Sequence, residues 1–187
     1  MKRIILSALF VAVAAFGLCA CAGSGSSDGD SQASSGIQSI NGTEYQTMRL
    51  NGASTIIPLD WIVLKDKSIS AHPSDLQYPV VIITDNTTTT EPIAQTCNSA
   101  DEFQEIVQEE LDYLVECEYE FEELTYTSLD SYPYKAEVKY SYGYVDGIMI
   151  FASNESGNAW LTTGYIGTGA QDYAEELSLA TENFVLE

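Results

Sequence analysis

Between Tyr134 and Tyr144 the chain alternates without a break. Tyr134, Ala136, Val138, Tyr140, Tyr142 and Tyr144 hold one set of positions, and Lys135, Glu137, Lys139 and Ser141 hold the other. Successive side chains of a strand point to opposite faces, so this period of two specifies a long strand with one apolar and one charged face. Asp146-Gly147 is a tight-turn dipeptide, and Ile148 to Ala152 is expected to return as its hairpin partner. Asn154 to Asn158 reads as the next turn and Ala159 to Ile166 as a third strand. Such a meander must bury its apolar face against something else, and the rest of the chain has to supply the cover.

Two amphipathic segments are suited to that task. Ser99-Ala100-Asp101-Glu102 is a capping box, in which the serine hydroxyl meets the Glu102 amide and the Glu102 side chain reaches back. The helix it opens carries Phe103, Ile106, Val107, Leu111 and Leu114 on one face, with Glu105, Gln108, Glu109 and Asp112 on the other. Glu116 to Glu123 is a dense acidic run in which helix gives way to strand around Phe121 to Tyr126. After Thr168-Gly169-Ala170-Gln171, Tyr173, Leu177, Ala180 and Phe184 define the apolar face of a closing helix.

Upstream, Tyr45 to Leu50 reads as a strand ended by the Asn51-Gly52 turn signal. Thr55-Ile56-Ile57 and Trp61-Ile62-Val63-Leu64 are β-rich runs on either side of Pro58, which lacks an N–H and so marks an edge or a break. Asp66 to Tyr78 is polar and is expected to be loop. Pro79 to Thr84 is a continuous apolar run, hence a buried strand, and Asn86 to Pro92 is a loop or strand edge. Strands, a helix, a meander and a second helix make an α+β domain: an antiparallel β-sheet flanked by helices.

The first 36 residues are of a different kind. Met1-Lys2-Arg3 is a positive start and Ile4 to Leu18 an apolar run, shorter than the roughly 20 residues a membrane-spanning helix needs. It ends in Leu18-Cys19-Ala20-Cys21, which resembles the lipobox of bacterial lipoprotein signals. Small Ala20 immediately before Cys21 suits a narrow peptidase pocket, whereas bulky Leu18 precedes Cys19, so Cys21 is the expected lipidation site. The resemblance implies a signal peptide over 1–20 and a diacylglyceryl thioether on Cys21, with or without an acylated amine. It places the protein on the extracytoplasmic side of a cell membrane. Residues 21–36, rich in Gly, Ser, Ala and Asp, form a flexible tether, and 37–187 one extracytoplasmic domain.

Beyond residue 20 the chain has five basic residues (Arg49, Lys65, Lys67, Lys135 and Lys139) against 28 acidic ones, which makes the formal charge −23. Such a chain repels phosphate backbones, so nucleic acid is excluded as a partner. Anionic lipid heads repel it too, leaving the lipid alone to hold it at the membrane. Export favours a disulfide between Cys97 and Cys117. Yet about 15 helical residues between them span roughly 22 Å, and bridged Cα atoms lie within about 7 Å. The bond needs the flanking loops to fold back; the other arrangement is two separate buried thiols.

Catalytic chemistry is poorly supplied. The single histidine, His72, sits in the expected loop before Pro73, with no Gly-x-Ser-x-Gly elbow for a triad. One histidine and two distant cysteines do not make a zinc site. Glu118, Glu120, Glu122 and Glu123 lack the spacing of a calcium loop, and no cofactor is expected. Tyr140, Tyr142 and Tyr144 read in two ways: facing outward they are an aromatic platform, facing the helix they are core with hydroxyls at the rim.

Ile57-Pro58-Leu59-Asp60-Trp61, the amphipathic helix, Tyr134-Lys135-Ala136 opening a hairpin with Asp146-Gly147, and Asn183-Phe184-Val185-Leu186 at the close together resemble the PsbP-like group. That group takes in the Mog Ran-binding proteins and the DcrB-like and LpqN-type lipoproteins. The resemblance implies an α-β-α sandwich that acts without catalysis, as a protein-binding or assembly module for an envelope complex. The alternative is a solute- or glycan-binding module using the tyrosine-rich face with Trp61 and Trp160.

Overall fold

The alternating stretch does form a strand, Tyr134–Tyr142, and it sits in the larger of two sheets. The computed structural model describes residues 36–65, 68–78, 80–85, 97–155, 157–166 and 171–187; the side chains of 85, 157–161 and 165–166 lie outside that description. Strands β1 (Gln38–Ile40), β2 (Thr43–Leu50) and β3 (Ala53–Pro58) run in chain order, and the closing β12 (Val185–Leu186) pairs with β3 to complete a four-stranded antiparallel sheet. The larger sheet holds β4 (Ile62–Lys65), β5 (Ser68–His72), β6 (Val81–Asp85), β7 (Glu120–Phe121), β8 (Thr125–Ser128), β9 (Tyr134–Tyr142), β10 (Val145–Asn154) and β11 (Gly157–Ile166). Its order is β4-β5-β6-β11-β10-β9-β7, with β8 also pairing with β9. Two helices are described, α1 (Ala100–Glu116) and α2 (Ala174–Glu182). The architecture is therefore mostly antiparallel β, compatible with α+β, where a single sheet was expected.

Pro58 explains the division. It ends β3 opposite Tyr45, the chain turns through Leu59-Asp60, and β4 starts at the edge of the other sheet. Asn51-Gly52 forms the β2–β3 turn with φ of 45° and 87°, the left-handed pair that an Asn-Gly hairpin turn requires. Asn41-Gly42 does the same between β1 and β2. The β9–β10 hairpin differs from expectation. Tyr142 pairs with Val145, so the turn is Gly143-Tyr144 and Asp146-Gly147 lies inside β10. Gly147 is needed there for another reason: a Cβ would run into the Thr163 carbonyl and come within 2.8 Å of the Tyr140 ring. The tyrosine lies across a strand position that has no side chain.

The register of β9 and β10 sorts their residues between two apolar layers. Ile150 and Ala152 face a core that also holds Met48, Ile57, Trp61, Ile69, Val81, Ile83, Leu177, Ala180 and Phe184. Helix α2 touches both sheets here: the Thr55 hydroxyl of β3 donates to the Ala180 carbonyl, and the Thr181 hydroxyl lies 3.4 Å from that of Thr163 on β11. The alternate residues of β10, Met149 and Phe151, share a face with Tyr134, Ala136, Val138 and Tyr140. That face is covered by α1, whose Phe103 packs on Tyr134 and Tyr126 at 5.8 and 6.3 Å.

Helix α1 starts at the expected serine cap, with the Glu102 side chain reaching back one residue further than in a capping box. Ser99 Oγ accepts from the Glu102 N–H at 3.1 Å, while the Glu102 carboxylate accepts from the Asn98 N–H at 2.8 Å. Phe103, Val107, Leu111 and Leu114 are buried as expected; Ile106 is half-buried, and Glu110 is buried on the same helix. The cysteines stand at its two ends, Cys97 buried before the cap and Cys117 half-buried as the C-cap, both as free thiols. Of the two arrangements left open, the structure has separate thiols: a helix of 17 residues stands between them, roughly 25 Å long. Two further expectations change. Asp66 to Tyr78 contains β5, and the strand expected at 121–126 is two pieces, β7 and β8. The Asn86–Pro92 expectation lies outside the described residues.

Candidate functional site

Past the C-terminus of α1 the apolar face of β9 loses its helical cover, and aromatic side chains take over. Glu118 adopts φ of 70°, which reverses the chain after the Cys117 cap and lays Tyr119 back over the sheet. Tyr119 is buried and stacks on Tyr142 with ring centres 4.3 Å apart and planes 8° from parallel. Tyr140 and Phe121 stand 5.8 and 6.2 Å from it. Burial first, then the neighbouring phenols, pushes the Tyr119 hydroxyl far above its usual range, and burial does the same to Tyr140. Tyr140 donates to the Thr163 carbonyl at 3.3 Å.

The tyrosine stripe therefore divides. Tyr140 is core, Tyr142 is half-buried as the lid of the stack, and Tyr144, in the hairpin turn, is 90% exposed. Around them Glu116, Glu118, Glu120, Glu122 and Glu123 are exposed, and the last turn of α1 carries no basic residue. A helix C-terminus already bears partial negative charge, so these carboxylates add to an unrelieved field. Lys139, 3.7 Å from Glu122, supplies the one ion pair found at this edge among the described residues. The arrangement is an aromatic patch of half-buried Tyr142 and exposed Tyr144, backed by buried Tyr119 and rimmed by carboxylates at the β7 end of the large sheet. Tyr119 and Phe121 were hidden in the sequence by the acidic run, although their spacing of two was there to be read.

The other expected site residues are dispersed. Trp61 is core, 6% exposed, with Tyr173 edge-on at 5.7 Å. Tyr173 in turn donates to Asp75 at 2.7 Å, and that bond, with burial, holds its phenol up at about 12. Trp160 is placed by backbone on β11 between Phe151 and Thr84, its side chain being outside the description. Trp61 and Tyr140 are thus withdrawn from any aromatic platform. Cys21 lies outside the described residues.

His72 is on β5 and buried, with Nδ1 2.8 Å from the Pro73 carbonyl, which corrects its expected place in a solvated loop. Burial raises the Cys97 thiol, the Glu102 charge adds to the effect, and a Ser153 hydrogen bond works against it. Such a thiol is a packing group with little thiolate at neutral pH. Among the described residues no group of three or more His, Cys, Asp and Glu is placed to hold a metal ion.

No family model matches this chain, and no curated protein matches it. Among solved structures it is similar to the solution structure of the cyanobacterial PsbP protein CyanoP from Synechocystis sp. PCC 6803. The two share 12% identity at a TM-score of 0.47, over 87% of this chain and 98% of that one.

Proposed function

We propose that this is a lipid-anchored extracytoplasmic protein that works by binding another protein, as an assembly module of an envelope complex, and that its domain is a PsbP-like α-β-α arrangement. The anchor rests on Leu18-Cys19-Ala20-Cys21 behind a short apolar run. Among the described residues no helix is long and apolar enough to cross a membrane. Two acyl chains would suffice for stable attachment. The arrangement of layers is supported by α1 on one face of β9 and β10 and α2 on the other.

The observation that carries the binding function is the Tyr119–Tyr142 stack with exposed Tyr144 beside it, set among carboxylates. Aromatic rings supply contact area with little loss of side-chain freedom, and the surrounding negative field selects a partner segment bearing Lys or Arg. The test is in-cell crosslinking and pull-down of the lipidated protein with Cys21→Ala as control. One dominant membrane-associated protein, lost in the control, is expected. A protein that stays on the membrane yet captures nothing above background would overturn the assembly role.

A further inference from the structure

The end of the large sheet opposite the aromatic stack is β4, and it is unlike the rest of the surface. All four of its residues are exposed, Ile62 to 43% and Leu64 to 50%, and Val63 and the adjoining Leu59 are exposed as well. Natural edge strands are blunted by charges, prolines or bulges. β4 has no proline, pairs with β5 in unbroken register, and carries a single lysine at its end. Lys65 is exposed and joins no ion pair among the described residues. Arg49 is paired with Glu187, Lys139 with Glu122, and Lys135 lies half-buried on the Phe184 carbonyl.

The chain enters the fold at this end. Gln38 pairs with Tyr45 and Tyr45 with Pro58, so the start of β1 lies two strand spacings, about 10 Å, from the turn that leads into β4. The acidic and aromatic edge at β7 lies six spacings from β4 in the sheet order, roughly 29 Å away. The described domain is polarised: apolar side chains and a lysine with no ion pair among the described residues lie toward the start of β1, carboxylates at the far edge.

We infer that the β4 edge of the sheet, with Leu59, is what the domain lays on the lipid surface, turning the β7 edge outward. This rests on the lipid-anchored reading. Asp60 and Asp66 flank the strand, so the contact is made by Leu59, Ile62, Val63 and Leu64 with Lys65 at the headgroups. A contact this small is weak by itself. The 16-residue tether, whose mean span is about 22 Å, keeps it intramolecular and so populated.

The test uses the chain from Ala22 onward, held by an N-terminal histidine tag on phosphatidylcholine–phosphatidylglycerol vesicles that carry a nickel-chelating lipid. Amide exchange at Ile62 to Lys65 is expected to slow by about fivefold or more on the vesicles relative to free protein. Ile62→Glu with Leu64→Glu should abolish the slowing and leave β9 exchange unchanged, which shows the variant folded. Unchanged exchange on vesicles, or slowing that survives in the double variant, overturns the inference. So does slowing in vesicle-free solution that grows with protein concentration, because the edge then pairs with a second copy. The tag replaces the lipid, so these outcomes are independent of the anchor, which the mass of the native Cys21 peptide tests separately.

Discussion

Gly147 and Tyr140 show how one residue's absence of a side chain fixes another's position. Tyr140 can be core only because its ring crosses β10 where no Cβ exists, and its hydroxyl then reaches the Thr163 carbonyl. Gly147→Ala forces the ring and the β11 backbone apart and should destabilise the protein by at least about 2 kcal/mol, read from urea unfolding. Tyr140→Phe keeps the packing and loses one hydrogen bond, so it should cost about 1 kcal/mol. At this scale the sequence was only half legible. The alternation placed Tyr140 on the apolar face without deciding between core and platform, and Asp146-Gly147 as a dipeptide reads as a turn. Only the three-dimensional register, with Tyr142 opposite Val145, reveals that the glycine serves a close approach instead.

Among the elements, local rules succeeded where local chemistry decides. Ser99 and Glu102 cap α1 with side-chain bonds contained within a few residues, and Ser99→Ala should lower stability by about 1 kcal/mol in the same assay. Asn51-Gly52 fixes its hairpin for the same reason. The elements that escaped were those defined by distant partners. Ser68 to His72 mixes small and polar residues and becomes a strand because β4 and β6 flank it. Val185 and Leu186 are too few to be read at all and are strand only because β3 lies beside them. The candidate site was partly legible: Tyr142 and Tyr144 stood in the alternating stripe. Tyr119 reaches the site only through the reversal at Glu118, which no periodicity announces.

For the molecule as a whole, buried phenols set a pH dependence. Folded Tyr119 and Tyr140 ionise well above their ordinary value of 10.0. A raised pKa means the folded state holds its proton longer, so this stability is fully present below pH 10.0 and is lost as pH climbs beyond it. Lys135, lowered from 10.5 by burial, works in the opposite sense, its cost easing as the pH rises toward that value. With two strongly raised phenols against one lysine, the urea midpoint should fall above pH 10.0. Phenolate absorbance from the two should appear only with unfolding. The same whole-molecule view joins the two edges of the large sheet into one scheme, β4 toward lipid and β7 toward a protein. A photoreactive residue placed at Tyr144 or at Leu64 of the lipidated protein in intact cells tests that scheme directly. The expected result is one dominant protein adduct from Tyr144, lost in the Cys21→Ala background, and lipid adducts from Leu64. Protein adducts at Leu64 with none at Tyr144 would contradict it.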